Sequence, residues 1–283
     1  MMDGILLINK PVGITSRDVV NMVSKKFNTK KIGHTGTLDP FADGLIVLTI
    51  GKGTKCSQFL EEKVKTYVAT LFLGKSTDTL DKDGVVVEEK EVKQYSIEDI
   101  TNVLESFKGE ITQTVPLYSA IRVNGKKLYE YARNGIQVEL PSRQINIFDI
   151  KLLHYEGNII RFEVTCSKGT YIRVLGNDIA HKLGTVGHLI SLTRKKVGSF
   201  LLENSKKVED ITSEDIINIY DALKDNIETL HVNDKLAEDI KNGKHLPFET
   251  KIDRLFVCSE KNEPIAIIER DHGKIFKVVR GLF

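Results

Sequence analysis

The sequence predicts a mixed α+β fold with a small β-rich module at its C-terminal end. Between residues 4 and 183, segments with strand-like and helix-like apolar spacing intermingle without the strict βαβ rhythm of a doubly wound sheet. From about Val208 the chain becomes acidic, and three short strand-like segments separated by polar turns follow. A terminal module of roughly 55 residues is only marginally stable alone, so we expect it to be stabilised by packing against the larger part of the chain.

The predicted elements begin with a continuous apolar segment at residues 4–8, which is typical of a buried strand. Thr15 and Asp18 then mark a helix start, and valines at helical spacing extend this helix to Phe27. Further strands are predicted at apolar, β-branched or alternating segments: 45–50, 65–73, 85–87, 145–153, 159–166, 254–258, 264–269 and 275–279.

The other helices are predicted from their end signals. Ser96, followed three residues later by Asp99, caps a helix that Gly109 ends. The remaining predicted helices cover residues 128–133, 171–183, an acidic stretch over 209–228, and 234–241.

The composition is that of an ordinary soluble globular protein, with 41% hydrophobic and 28% charged residues among 283. The longest apolar stretch, residues 44–50, is far shorter than the roughly 20 residues that a membrane span needs. No secretory signal is visible at the start of the sequence. Cys56, Cys166 and Cys258 are widely spaced and odd in number, which indicates neither a disulfide framework nor a zinc site. We therefore expect a cytoplasmic protein.

The net charge of +2 conceals a segregation of charge along the chain. Residues 10–31 carry six Lys or Arg and one Asp, and residues 181–200 carry four Lys or Arg and no acid. By contrast, residues 78–110 carry ten acidic residues and four lysines. A solvated face is the usual explanation of such runs, but basic clusters confined to certain segments are also typical of a nucleic-acid surface.

The glycine-punctuated segment around Asp39, GHTGTLDPFADGL at residues 33–45, is the strongest candidate for chemistry. Nucleotide-binding glycine motifs, paired histidines with a third metal ligand nearby, and a G-x-S-x-G serine elbow are all missing from the sequence. Asp39 and Asp43 could form the two-carboxylate pair of a glycosidase, although Pro40 and Gly44 leave their separation undefined. On local grounds alone, an Asp before Pro in such a loop is most often a turn former.

That segment closely resembles the catalytic motif of the bacterial tRNA pseudouridine synthase B (TruB type) family. Further matches lie in family order at residues 4–16, 65–67, 118–120, 125–135 and 166–173, so the resemblance covers roughly residues 3–200. The C-terminal part is similar, more loosely, to the RNA-binding PUA domain. Four positions depart from the family pattern: Asp43, Val115, Arg122 and Thr193.

The resemblance implies the pseudouridine synthase fold: a mixed central sheet with flanking helices and a cleft, followed by a small β-barrel-like PUA module. It implies a catalytic domain at residues 1–226 and a PUA-like RNA-binding domain at 227–283. The implied reaction isomerises the T-loop uridine at tRNA position 55 to pseudouridine, with tRNA (the T-arm stem-loop) as partner and no metal or nucleotide cofactor. We expect a monomer.

The resemblance also assigns roles to residues of the catalytic site. Asp39 is the nucleophile, attacking either C1′ of the ribose or C6 of the base. Arg173 is its partner, because a guanidinium can orient a carboxylate. Tyr67 stacks on the uracil and is the candidate base for the C5 proton, while Tyr171 and Leu192 line the pocket.

The target base is stacked inside a folded loop, so it must be flipped out before reaction. The resemblance suggests that His34 fills the space that this base leaves, although a structural histidine bonded to its own loop is nearly as good an interpretation. Phosphate contacts would offset the cost of unstacking, which is about a few kcal/mol. The candidates for these contacts are Lys10, Lys55, Lys126, Lys127, Arg143 and Arg194.

Three alternatives stay open at this point. The protein could bind or fold tRNA with chemistry as a secondary property, or it could hydrolyse a nucleoside or glycoside with Asp39 and a second carboxylate. It could also modify a different RNA stem-loop. The segment 122–143, basic and rich in glycine turns, is where a loop that closes over RNA is expected.

Overall fold

The computed structural model of the chain describes residues 2–283, and two large β-sheets organise it. The strands are β1 (Gly4–Lys10), β2 (Ile32–His34), β3 (Asp43–Ile50), β4 (Lys65–Leu73), β5 (Lys75–Thr77), β6 (Val86–Glu89), β7 (Gly109–Thr114), β8 (Arg122–Val123), β9 (Lys126–Lys127), β10 (Ser142–Glu156), β11 (Ile159–Cys166), β12 (Gly187–Val197), β13 (Phe200–Leu201), β14 (Thr229–Val232), β15 (Leu246–Pro247), β16 (Arg254–Ser259), β17 (Pro264–His272) and β18 (Ile275–Gly281). The α-helices are α1 (Ser16–Lys26), α2 (Ser57–Glu61), α3 (Ile97–Glu105), α4 (Leu128–Arg133), α5 (Ile172–Lys182), α6 (Ile219–Leu223) and α7 (Asp234–Lys241).

The larger sheet has nine strands, in the order β1-β3-β12-β4-β11-β10-β7, with β2 paired to β3 and β13 to β12. Most neighbours are antiparallel, but β12 and β3 run parallel, with Thr193 opposite Asp43 and Arg194 opposite Gly44. Two positions that depart from the family pattern, 43 and 193, are therefore register neighbours. This parallel pair brings the end of the predicted catalytic loop, residues 35–42, beside the middle of the sheet.

The predicted helix caps are confirmed. Thr15 and Asp18 form a capping box at the start of α1, with the Thr15 side chain accepting from Asp18 N. Ser96 and Asp99 form the same arrangement at α3. In each box the side chains satisfy backbone donors that the first turn of a helix leaves free.

Four strands of the large sheet, β2, β7, β12 and β13, are missing from the sequence-based prediction, and β7 and β12 are the longest of them. β7 is a short, mostly exposed edge strand, so its polar residues do not show the pattern of a buried strand. β12 contains the consecutive cations Arg194, Lys195 and Lys196, which argue against a central strand. β12 can nevertheless be a central strand, because the Arg194 guanidinium donates to three backbone carbonyls inside the protein.

The helix predicted over the acidic stretch 209–228 is wrong for most of its length. Only a short 3-10 turn at Ser213–Asp215 and the single-turn helix α6 form there. Thr212 and Asn218 both act as N-caps, so each begins a new short element instead of continuing one helix.

The five-stranded sheet at the C-terminal end has the order β14-β16-β17-β18-β15. It packs directly on the large sheet, since Phe256 and Ile267 belong to the same buried cluster as Leu7, Val47 and Phe59. The two sheets are thus joined through a shared apolar core. Within residues 2–283, no helix is both long and apolar enough to cross a membrane.

Candidate active site

Asp39 lies in the loop between β2 and β3, and helix α1 holds this loop from one side. The Ser16 hydroxyl donates to Leu38 O (3.0 Å) and accepts from Leu38 N (2.8 Å). Gly13 N donates to Pro40 O at 2.7 Å. These bonds on both sides of Asp39 fix the backbone that presents its side chain.

Arg194, on β12, holds the same loop from the interior. Its guanidinium donates to Leu45 O (2.7 Å), Thr37 O (3.3 Å) and Gly36 O (3.1 Å), and the residue is only 2% exposed. A Cβ at Gly44 (φ +100°) would lie 2.6 Å from Arg194 O, so only glycine allows the two strands to approach here. The prediction that Arg194 contacts phosphate is therefore wrong: its donors are bound to the loop backbone.

Arg173 pairs with Asp39 from the first turn of α5. Its Nε donates to Asp39 Oδ2 at 2.9 Å and its Nη2 to Oδ1 at 3.3 Å, a two-point contact that fixes the plane of the carboxylate. The Arg173 side chain is 4% exposed, whereas that of Asp39 is 35% exposed. The arginine is thus buried behind a carboxylate that reaches solvent.

The other contacts of Arg173 are with Tyr118 and with two residues, Thr79 and Asp81, of the segment that the sequence indicates only as an acidic run. Nη1 donates to Thr79 O (2.6 Å) and lies 3.6 Å from Asp81 Oδ2, while Nη2 donates to Tyr118 O (3.0 Å). The Asp81 carboxylate is buried and accepts from the Thr79 hydroxyl at 2.7 Å. Burial raises the pKa of Asp81 above its usual value. Arg173 therefore sits between two carboxylates, of which only Asp39 faces outward.

A turn of unusual backbone conformation places Asp81 there. Leu80 adopts φ +61°, in the left-handed region that non-glycine residues rarely occupy. Leu80 O accepts from Leu189 N on β12 (3.1 Å), which ties the turn to the sheet. The run STDTLDKDG at residues 76–84 gives only a weak sequence signal, because no local pattern indicates that one of its aspartates is buried.

In front of Asp39 opens a cleft of about 870 Å³. Seven of the residues predicted to form the site line it: Asp39, Tyr67, Arg143, Tyr171, Arg173, Leu192 and Arg194. They come from the catalytic loop, β4, β10, β12 and the start of α5. The fold therefore gathers the predicted catalytic residues into one cavity.

The two tyrosines of the cleft are held differently. Tyr67 is 7% exposed, and burial raises the pKa of its hydroxyl. Tyr171 is fixed through its backbone, since the buried Gln113 amide accepts from Tyr171 N (2.7 Å) and donates to Tyr171 O (3.1 Å). The Arg143 guanidinium lies 5.4 Å from the centre of the Tyr171 ring. Gln113 is a second residue that the sequence reasoning missed, because it acts 58 residues away along the chain.

His34 and Lys10 lie beside the catalytic loop instead of in the cleft. His34 Nδ1 accepts from Gly36 N at 3.3 Å, and burial together with Arg194 lowers the pKa of the imidazole. Lys10 is fully buried, its Nζ donates to Pro11 O (2.9 Å) and Ile14 O (2.8 Å), and burial lowers its pKa to about 8. Lys10 therefore holds the turn before α1, which corrects its assignment as a phosphate contact.

The remaining predicted phosphate contacts lie at the surface. Lys126 is exposed and Lys127 half-buried, both on the β8–β9 hairpin, and Lys127 Nζ lies 5.4 Å from the centre of the Tyr129 ring. Lys55 Nζ donates to Phe283 O at 3.1 Å, so it already has a partner in the C-terminal module.

The carboxylate pair considered for a glycosidase does not form across the cleft. Asp43 begins β3, and among residues 2–283 it is not one of those that line the cavity. Its Oδ1 is buried and has no hydrogen-bond partner within the described residues. In that same range, no group of three or more His, Cys, Asp or Glu side chains could hold a metal ion.

Comparisons with known proteins identify the family of the chain. The model of the TruB family pseudouridylate synthases (N-terminal domain) matches residues 24–172. The tRNA pseudouridine synthase B of Mesoplasma florum is 40% identical over 98% of this chain and 97% of that protein. Those of Bacillus licheniformis (42%; 94% of this chain and 93% of that protein) and Caldicellulosiruptor saccharolyticus (45%; 87% and 84%) are similar to it as well.

The fold is also that of solved structures. A chain in the crystal structure of a Cbf5–Nop10–Gar1 complex superposes with a TM-score of 0.78 at 23% identity, covering 100% of this chain and 85% of that one. A chain of an H/ACA RNP bound to a substrate RNA gives a TM-score of 0.76 at 22% identity, covering 100% and 86%. The predicted fold class, a mixed central sheet with helices plus a small C-terminal β-module, is confirmed. With its family match and relatives that align over nearly their whole length, the chain belongs to the TruB family of pseudouridylate synthases.

Proposed function

We propose that this protein is a tRNA pseudouridine synthase that isomerises the T-loop uridine at tRNA position 55. The observation that carries the proposal is the two-point contact between Asp39 and the buried Arg173 at the base of the cleft. A nucleophilic carboxylate needs a fixed direction and a counter-charge that does not block its outer face. Arg173 meets both needs, because it approaches from inside the protein.

The reaction breaks the N-glycosidic bond, turns the uracil, and rejoins it to the ribose through C5. C5 loses its proton and N1 takes one up, so the product is an isomer of the substrate. Asp39 is the nucleophile, at C1′ or at C6, and no oxidant, reductant or group donor enters the balance. Tyr67 and Leu192, both nearly buried, form apolar walls against which the base can stack. Because burial raises the pKa of Tyr67, its hydroxyl is protonated at neutral pH. Tyr67 can therefore accept the C5 proton only if its hydroxyl first gives its own proton to another group.

Binding requires that the target uridine leave its loop, and a cleft of about 870 Å³ has room for one flipped-out nucleotide. Lys126, Lys127 and Arg143 are the candidates among the predicted cations for holding the RNA backbone, since none of them is fully buried. His34 acts at the edge of the catalytic loop as a neutral, space-filling group. We place the catalytic domain at residues 1–226 and an RNA-binding module at 227–283, in a cytoplasmic monomer without metal or nucleotide cofactor.

The test uses T-arm RNA that carries tritium at C5 of every uridine. We compare the wild type with Asp39→Asn, in the presence of a metal chelator and without added cofactor. The expected result is close to one equivalent of tritium released per RNA by the wild type. Asp39→Asn should be slower by more than about a thousand-fold, because the amide is not a nucleophile.

Three other outcomes would contradict the proposal, the last of them only in its substrate. Tight RNA binding by both proteins without tritium release would indicate an RNA-binding or RNA-folding protein. Release of free uracil, detected by chromatography of the same reaction, would indicate a hydrolase. Release from a uridine other than that at position 55, located by sequencing the product, would change the substrate but not the chemistry.

A further inference from the structure

The C-terminal module reaches the rim of the catalytic cleft through a chain of ion pairs. Arg254, on β16, donates from Nη1 to Glu62 Oε2 at 2.6 Å and from Nε to Glu269 Oε1 at 2.7 Å. The other oxygen of Glu62, Oε1, accepts from Lys168 Nζ at 3.4 Å. Glu62 and Lys168 both line the cleft, whereas Arg254 lies outside it. Glu62 thus links a basic residue of the cleft wall to the module behind it.

Arg254 is itself fixed in place. Its guanidinium lies 5.2 Å from the centre of the ring of Phe59, a residue that is 1% exposed and belongs to the core shared by the two sheets. Glu269 holds the second side of the guanidinium. The hydrogen bond from Arg254 is the main reason why the pKa of Glu62 is lowered.

These contacts are too exposed to matter much for folding. The side chains of Lys168, Glu62 and Arg254 are 59%, 38% and 35% exposed, and exposed ion pairs contribute little to stability. Their position is more informative. A carboxylate on the wall of a cleft that receives an RNA backbone repels phosphate, unless a cation neutralises it.

We propose that Arg254 is a positioning residue for RNA binding, which acts through Glu62 and Lys168 without touching the RNA. Arg254 neutralises Glu62, so Lys168 is only loosely held and can exchange Glu62 for an RNA phosphate. Without Arg254, Glu62 has only Lys168 as a cationic partner within residues 2–283, so it holds Lys168 more tightly and repels the incoming phosphate. The C-terminal module thereby sets the charge of the cleft rim. This inference rests on the proposed function, since it assumes an RNA substrate.

The experiment measures Kd, KM and kcat of the full-length protein with T-arm RNA for Arg254→Gln, Glu62→Gln and the double variant. Arg254→Gln should weaken RNA binding about threefold to tenfold at about 50 mM salt, with kcat unchanged, and less at about 200 mM because salt screens exposed charges. Glu62→Gln should bind RNA at least as well as the wild type. In the Glu62→Gln background, the change at Arg254 should have no further effect.

The charge-matched control is Lys274→Gln, which removes an exposed cation of the same module that is paired with Glu249 at 2.5 Å. It should leave the affinity for RNA unchanged. An equal loss of affinity in this control would show a general charge effect, and would overturn the inference. So would a loss from Arg254→Gln that persists in the Glu62→Gln background, because Arg254 would then contact the RNA directly.

An unchanged affinity in Arg254→Gln would overturn the inference as well. The proposed function is judged separately, by tritium release from the wild type. If the wild type released none, the proposed function would fail, while the measured affinities would still decide the role of Arg254.

Discussion

Basic side chains have different roles in two regions of the molecule. Around Asp39, Arg173 and Arg194 are almost fully buried, and each donates to backbone carbonyls or carboxylates fixed in the fold. At the cleft rim and on the C-terminal module, Lys168 and Arg254 keep a third or more of their side chains exposed. The buried cations fix the position of the loop and the carboxylate of Asp39, whereas the exposed cations have partners that a ligand can replace.

The two groups of cations differ because water reaches one group and not the other. Removing one partner of a buried ion pair leaves the other charge buried and unpaired, which costs about 3–5 kcal/mol of stability. An exposed ion pair contributes about 0–1 kcal/mol, because water and salt compete for both partners. Mutations in the two regions should therefore be separable by what they change: stability and kcat inside, affinity and salt dependence outside.

The largest expected effect is that of Arg194→Met. It leaves the carbonyls of Gly36, Thr37 and Leu45 without their donor and releases the catalytic loop. We expect a loss of about 3–5 kcal/mol in the free energy of unfolding, measured by urea denaturation, and loss of tritium release. The neighbouring, exposed Lys195→Met is the control and should change neither. Equal stability of Arg194→Met and the wild type would remove the contrast between the two regions.

Next in size is the effect of Asp81→Asn on catalysis. The amide weakens the second carboxylate contact of Arg173 (3.6 Å), so the guanidinium that orients Asp39 can shift. Small displacements of this kind cost on the order of a hundredfold in kcat. The loss of stability should be smaller than for Arg194→Met, because Arg173 keeps Asp39 and the carbonyls of Thr79 and Tyr118 as partners. The control is Asp83→Asn on the same turn, which is exposed and should keep full kcat. An unchanged kcat in Asp81→Asn would show that Asp81 is not needed to position Arg173.

A third prediction concerns pH and Lys65, a buried lysine of the cleft whose Nζ donates to Glu61 O (2.8 Å) and Lys63 O (2.9 Å). Burial lowers its pKa from 10.5 to about 8. Between these values the unfolded chain binds more protons than the folded one, so stability rises with pH. The cost of burying the charge is fully present below the folded pKa and is relieved above it.

The measurement compares the wild type with Lys65→Met by urea denaturation. Relative to the variant, the wild type should gain on the order of 1–3 kcal/mol between about pH 7.5 and about pH 10. Taking the difference removes the similar contribution of Lys10, which both proteins keep. An exposed lysine, Lys195→Met, should show no such trend. A pH-independent difference between wild type and Lys65→Met would contradict the burial argument.

The smallest structural effect is expected at the β8–β9 hairpin. The double variant Lys126→Gln and Lys127→Gln should fold with wild-type stability but bind RNA a few-fold less tightly. The slope of log Kd against log salt should fall in magnitude by about 1–2, as for the loss of one or two phosphate contacts. Lys90→Gln with Lys93→Gln, exposed lysines of the acidic segment, is the matched control. An unchanged salt slope would exclude this hairpin from the RNA-binding surface.

The local sequence predicted the elements that depend on interactions between residues close together in the chain. The capping boxes at Thr15 and Ser96 join neighbours three residues apart, and the apolar strands β1 and β3 are buried through their own composition. The catalytic role of the loop around Asp39 is predicted from its resemblance to a family motif, which is contiguous in the sequence. The lysines of the β8–β9 hairpin are predicted as phosphate contacts from the basic, glycine-rich character of residues 122–143, and the structure leaves Lys126 exposed and Lys127 half-buried.

Tertiary structure decided which charges are buried and with whom they pair. Arg173 meets Asp39 across 134 residues, Arg194 meets Leu45 across 149, and Arg254 meets Glu62 across 192. The sequence therefore could not distinguish the buried Lys10 from an RNA-binding lysine, or recognise Asp81 among its acidic neighbours. A charged side chain is stable inside a protein only if distant segments supply its partners, and one-dimensional spacing does not contain those distances.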